Sequence, residues 1–364
     1  MSPPAGLRER VPLAPFTTLG IGGPARWLVE ADGEEQLAAA LAWAGQRGVP
    51  LFVLGGGSNL LVADEGYPGL VLRVALRGVS WEAGDGDVTL RAAAGEPWDP
   101  LVAAAVERGL AGLECLSGIP GSAGATPIQN VGAYGQEVAE TVASVEALSR
   151  ADGTRRHFTA GECGFAYRDS VWKRAERDCW VIAAVSYRLG AGGAPAVRYP
   201  ELQRHLEDSG DGAPDLARVR EAVLALRRRK GMVLDAGDPD TRSDGSFFVN
   251  PVIAAAELPA FLARVAETGI AAENMPRYPA AGGGVKLSAA WLIERAGFAK
   301  GHRHGGVGIS SKHALALINR GGGTAREMVE LVREIRRRVA DRFGVLLVPE
   351  PSFVGFEGDP LAAP

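Results

Sequence analysis

The sequence has 364 residues, enough for two or three domains of roughly 100–200 residues each. Hydrophobic residues make up 46% and charged residues 23%, which excludes a disordered chain. A net charge of −4, from 39 basic and 43 acidic residues, excludes the broad basic field of a nucleic-acid binder.

Cys115, Cys163 and Cys179 have no CxxC spacing, which fits a reduced cytoplasmic protein better than a disulfide framework or a zinc site. The opening MSPPAGLRERVPLAPF lacks the apolar core of a signal peptide. No run stays apolar for the ~18 residues a membrane span needs. The expectation is a cytoplasmic protein without membrane insertion.

Arg26–Ala31 reads as the first strand. Asp32 with Glu35 has the capping-box pattern and predicts a helix to about Arg47, stopped by Gly48. Pro50–Leu54 is a short apolar run of buried-strand length that feeds Gly55-Gly56-Gly57. Strands are predicted at Leu70–Val74, Val88–Ala93, Val142–Leu148 and Trp180–Leu189, with helical periodicity over Pro97–Arg108. Gly190–Pro195 and Glu207–Pro214 read as linkers, the second as a surface insertion. A helix is expected between Asp215 and Lys230, then helices near Ala254–Thr268 and Ser288–Ala296. Thr324 and Glu327 form a capping box before the stripe Met328, Leu331, Val332, Ile335, Val339 and Phe343, which Gly344 ends. Val345–Val348 reads as a last strand leading into Pro349-Glu350-Pro351. The class is α+β.

Two loops stand out chemically. Gly55–Asp64, GGGSNLLVAD, lets backbone approach a ligand closely, and successive amides there form an anion nest suited to a diphosphate. Taken alone, it reads equally as a glycine-rich turn. It is neither a Walker loop nor GxGxxG. Ser117–Gly135, SGIPGSAGATPIQNVGAYG, is longer than a connection needs, and its amides and hydroxyls (Ser122, Thr126, Gln129, Asn130) suit the edge of a flavin ring.

With AYRDSVWK, DGSFFVNP, KLSAAWLIERAG and PEPSFVGF, these loops give six ordered motifs between Thr17 and Gly355. Together they resemble the UDP-N-acetylenolpyruvoylglucosamine reductases, within the vanillyl-alcohol-oxidase-like FAD-binding superfamily. The resemblance implies a two-part FAD module plus a C-terminal α+β substrate domain. It divides the chain into residues 1–72 with the terminal strand 345–364 returning to them, then 73–228, then a substrate domain 229–344. It also implies FAD, NADPH as co-substrate in a ping-pong cycle and a UDP-sugar substrate; no His sits in either loop to bond the flavin, so non-covalent FAD is expected, and a monomer is favoured.

Residue by residue, the match implies three catalytic groups. Arg168 would grip the substrate carboxylate, Ser246 would protonate C2, and Glu350, with a raised pKa, would help hold the enolate. FAD would be held by Gly55, Gly56, Gly57, Ser58, Asn59, Leu60, Pro120, Gly121, Gly124, Ala125, Pro127, Gln129, Asn130, Gly132 and Ala133. Substrate would meet Tyr167, Tyr199, Lys230, Asn250 and His313. His302, His304 and His313 lack an acidic or Cys partner at metal-site spacing, so no metal is expected. Two other readings stay open: a different oxidoreductase of the superfamily, and a catalytically idle sugar-nucleotide binder.

Overall fold

The structure, a computed structural model, describes residues 2–210, 212–273 and 275–362. Its contacts group into two compact units. Unit 1 is Met1–Val11, Ala25–Gly57 and Tyr67–Val233; unit 2 is Pro12–Pro24, Ser58–Gly66 and Leu234–Pro364. The expected segment 1–72 is therefore shared between the two, and 345–364 is counted together with 234–344.

Unit 1 begins with a sheet in which Tyr67–Val74 lies between Pro24–Ala31 and Leu51–Leu54 and runs parallel to both, with Arg8–Pro12 at the edge. Strands of this kind are covered by helices and read as apolar runs. Leu28, Val29, Leu70, Val71 and Leu72 are fully buried. Helix Glu34–Arg47 lays Leu37, Ala40, Leu41 and Ala44 into that core, and Gly48 ends it in a left-handed conformation (φ 59°). Its start differs from the expected capping box. Gly33 is the N-cap and no side chain caps the helix, while the Asp32 amide donates to Gln36 Oε1 at 3.1 Å. Asp32 stands one residue too early to reach the first free amides.

An antiparallel sheet follows, in the order Arg155–Thr159, Val142–Ser149, Trp180–Ala191, Asp87–Ala93, Val79–Ala83. Helix Trp98–Glu107 contributes Trp98, Leu101, Val102 and Ala105 to the same core. Leu216–Arg229 is a helix, with the Asp215 carboxylate accepting from the Arg218 amide at 2.8 Å. Pro200–Asp208 is also helical, although the sequence reading placed no helix there. Its apolar face is only Leu202 and Leu206, one turn apart, too short a stripe to stand out among charged neighbours. Two residues of the expected insertion Glu207–Pro214 thus close a helix, and Asp211 lies outside the described residues.

Unit 2 is built around helix Ala325–Phe343. Thr324 and Glu327 cap it reciprocally, and Gly344 (φ 70°) ends it. Its buried stripe from Met328 to Phe343 joins Phe247, Phe248, Leu292, Phe298 and Leu317 in one core. Short antiparallel sheets carry Val252–Ile253, Val285–Leu287 and Arg277–Pro279, and Arg303–His304, Val307–Ile309 and Leu317–Asn319. Leu60–Val62 pairs in parallel with Ser352–Val354. The last strand is therefore Ser352–Val354, not Val345–Val348. That earlier stretch alternates buried Val345 and Leu347 with exposed Leu346 and Val348, as a strand would. It has no ladder; the Val348 carbonyl accepts one bond, from Val249.

Candidate active site

In unit 1 the two glycine-rich loops cross at backbone distance. A Cβ placed on Gly56 would lie 2.5 Å from the Gly121 Cα, and one on Gly55 would lie 2.9 Å from Ser122 Oγ. Only glycine allows this crossing. The Gly118 amide donates to Asp99 Oδ1 at 2.6 Å, and Arg220 clamps Asp99 through both of its oxygens. Behind the loop, Arg227 donates to the Met232 carbonyl at 2.7 Å, and burial lowers its pKa to about 10.

The polar side chains of Ser117–Gly135 divide into two groups. Thr126 donates to the Ala123 carbonyl and meets the Tyr187 hydroxyl, and Asn130 bonds Glu137, Ala166 and Ala139, so both are spent inside the chain. Gln129 differs. Its Oε1 accepts from Lys173 at 2.9 Å, while its Nε2 is buried with no partner among the described residues.

Arg168 occupies a tight turn closed by reciprocal amide bonds between Ala166 and Asp169. Its φ is 56°, uncommon for a residue with a side chain. The guanidinium donates to the Gly132 carbonyl at 2.6 Å and the Asn130 carbonyl at 3.4 Å. It also lies 5.3 Å from the Tyr167 ring centroid.

Tyr199 is the N-cap residue of helix Pro200–Asp208, and its ring meets Tyr134 edge-on at 5.6 Å. Lys230 pairs with Glu201 at 2.5 Å and sits 5.5 Å from the Tyr134 ring centroid. Burial pushes the Tyr134 hydroxyl up to about 12. Sequence reasoning did not single out Tyr134. Its position inside GAYG, directly after the selected Gly132 and Ala133, was the available signal.

In unit 2, Ser246 begins Ser246-Phe247-Phe248, and the Glu350 amide donates to the Phe247 carbonyl at 2.8 Å. Asn59 Nδ2 donates to the Glu350 carbonyl at 3.4 Å, and the Ser352 amide donates to the Asn59 carbonyl at 3.1 Å. Ser246, Glu350 and the Ser58–Leu60 loop are thereby brought together. Asn250 Oδ1 accepts from the Ala289 amide at the start of helix Ala289–Arg295. The His313 amide donates to Ser310 Oγ at 3.3 Å.

Asp244 was also missed. Burial raises its carboxyl well above the usual range, against a weaker opposing pull from the Leu60 amide and the Thr18 hydroxyl. Among the described residues, neither carboxyl oxygen meets a partner at full hydrogen-bonding geometry. The Thr18 hydroxyl proton is already given to the Ser243 carbonyl at 2.7 Å.

Residues 238–354 match the family model for the UDP-N-acetylenolpyruvoylglucosamine reductase C-terminal domain, and residues 25–159 match that for an FAD binding domain. The UDP-N-acetylenolpyruvoylglucosamine reductase of Thermobifida fusca is 52% identical over 350 residues, covering 95% of this chain and 98% of that protein. The chain belongs to the UDP-N-acetylenolpyruvoylglucosamine reductase family. The Saccharopolyspora erythraea reductase is 52% identical over 346 residues, 94% of each chain. The crystal structure of the Thermus caldophilus reductase superposes with a TM-score of 0.63 at 29% identity, covering 96% of this chain and 99% of that one. Fold class agrees with expectation: an FAD-binding module followed by the family's C-terminal domain, mixing helix and strand.

The residues present fit a flavin dinucleotide. Gly56, exposed and without a side chain, lies at the crossing of the two loops, and among the described residues Gln129 keeps a buried amide donor unused. Among the described residues, no cluster of His, Cys, Asp and Glu could hold a metal ion. No described helix is long and apolar enough to cross a membrane.

Proposed function

We propose that this protein reduces the enolpyruvyl ether of UDP-N-acetylglucosamine to UDP-N-acetylmuramate, a step of peptidoglycan precursor synthesis, using FAD and NADPH. The observation that carries the reading is 52% identity to a named reductase over 95% of the chain. Bound FAD supplies hydride for C3 of the vinyl ether. Gly55–Leu60 would hold its diphosphate. Pro120, Gly121, Gly124, Ala125, Pro127, Gln129, Gly132 and Ala133 would line the ring, with Gln129 Nε2 as the side-chain donor.

The chain's own residues manage the charge that follows. As hydride arrives at C3, negative charge develops at C2 and spreads into the carboxylate. Arg168 would hold that carboxylate through paired charge-assisted bonds and stabilise the enolate. Ser246 would deliver the proton to C2; a hydroxyl is a weak acid, so it suits only a strongly basic carbon. Glu350, fixed to Phe247 by its backbone, would steady the carboxylate end. Tyr167, Tyr199, Lys230, Asn250 and His313 would bind the substrate, with Lys230 exchanging Glu201 for phosphate. The domain reading is that FAD is bound by residues before about Val223 and most substrate contacts come from residues 230–343. The reading puts a monomeric enzyme in the cytoplasm.

The test is anaerobic. Protein reduced by NADPH is offered the enolpyruvyl UDP-sugar or a panel of other acceptors. Fast reoxidation by the enolpyruvyl ether alone supports the reading. Acid precipitation should release the flavin as intact FAD. A colourless protein, or equal reoxidation by unrelated acceptors, would remove it.

A further inference from the structure

Asn130 is 1% exposed and ends the short helix Thr126–Gln129 with a φ of 43°. Asparagine is one of the few side chains that accept this left-handed conformation without large cost. Its amide is spent three ways. Nδ2 donates to Glu137 Oε2 at 2.8 Å and to the Ala166 carbonyl at 2.9 Å, and Oδ1 accepts from the Ala139 amide at 3.1 Å. Its own carbonyl accepts from Arg168 Nη1.

Ala166 opens the turn that carries Arg168, whose φ is also left-handed. A non-glycine residue in that region is strained and persists only where its surroundings hold it. The hold is visible. Asn130 anchors the turn at Ala166, Ser170 Oγ donates to the Ile128 carbonyl at 2.7 Å, and Lys173 bridges Gln129 Oε1 and the Arg168 carbonyl. Segments 126–132 and 166–173 are thus stitched together by side chains, and Asn130 is bonded both to the turn and to the guanidinium.

We propose that Asn130 is a positioning residue for Arg168, and that its side chain serves the arginine turn rather than the flavin. This rests on the reading that Arg168 grips the substrate carboxylate. A displacement of about 1 Å at such a group costs about 10²-fold in rate.

Asn130→Gly keeps the left-handed backbone and deletes the amide. It should retain FAD and normal reduction by NADPH, while reoxidation by the enolpyruvyl substrate slows by about 10²-fold. In an Arg168→Lys background, Asn130→Gly should add no further loss, because the arginine it positions is gone. Additive losses would overturn the proposal. If Arg168→Lys by itself leaves reoxidation unchanged, the reading of Arg168 has failed, a different outcome from failure of Asn130.

Should Asn130→Gly not yield a folded flavoprotein, the exchange Asn130→Asp with Glu137→Gln is the deciding variant. It restores the bonds to residue 137 and Ala139 but not the donor to Ala166. A bound flavin with reoxidation still slow supports the proposal. Reoxidation at the original rate overturns it, as does failure of the exchange to hold flavin.

Discussion

Glu350 donates its amide to the Phe247 carbonyl at 2.8 Å, which sets the glutamate beside Ser246 by a bond independent of either side chain. Substituting either side chain therefore leaves the other in place. Ser246→Ala should keep FAD and near-normal reduction by NADPH, while reoxidation by the enolpyruvyl substrate falls about 10²–10⁴-fold, the usual contribution of a positioned acid. Ser246→Cys should regain part of the loss, and Glu350→Gln should slow the same half-reaction. Stopped-flow absorbance of each half-reaction checks this. Equal damage to both in Ser246→Ala would make the serine structural.

Asp244 gives a pH dependence whose sign is fixed. Its folded pKa lies well above 3.8, its ordinary value, because burial disfavours the charge. Between those values the folded chain binds the extra proton, so stability is full below the lower value and declines as pH rises towards the upper. Asp244→Asn carries no charge. It should be more stable than the parent at pH 7–8, with the advantage shrinking to nothing below about pH 4. Thermal unfolding across that range decides; an advantage that grows on acidification contradicts the assignment.

Gly56→Ala puts a methyl group 2.5 Å from the Gly121 Cα, against backbone that cannot swing aside. Overpacking of this kind costs about 1–3 kcal/mol. The variant should purify with less flavin per chain and a lower Tm. Full flavin content with an unchanged Tm would mean that the two loops can separate freely.

Thr324 accepts from the Glu327 amide at 3.1 Å while Glu327 accepts from the Thr324 amide at 2.9 Å. Thr324→Ala should cost about 1 kcal/mol by removing that cap. Urea titration would show it as a lower midpoint at constant slope, and no shift would mean that Glu327 suffices alone.

What could be read from sequence was local. Thr324, Asp215 and Gly48 act within a turn of their own helices, so their residue types predict where those helices start or stop. The glycine loops were legible as ligand-binding because their composition exceeds what a connection needs. Asp32 misled because a capping box can be satisfied on paper one residue out of place. Val345–Val348 has the alternation of a strand, but pairing depends on a partner elsewhere in the chain, and what it meets is an isolated bridge at its end, between Phe248 and Pro349, not a ladder. The work of Asn130 depends on Ala166 and Arg168, distant in sequence, and the burial of Asp244 arises only once the chain has folded. Neither leaves a mark in composition or spacing.

Leu60–Val62 takes Ser352–Val354 as its ladder partner, and Asp64 caps helix Ala325–Phe343 by accepting from the Ala325 and Arg326 amides. The order of synthesis therefore matters. A nascent chain has every residue of unit 1 once Val233 has been made, and domains generally fold as they emerge. Leu60–Val62 must wait for Ser352–Val354, and Asp64 for the Ala325 and Arg326 amides, well after Val233 has been made. Arrested chains ending before Ser352 should expose Leu60–Val62 to protease while the Tyr67–Val233 portion resists.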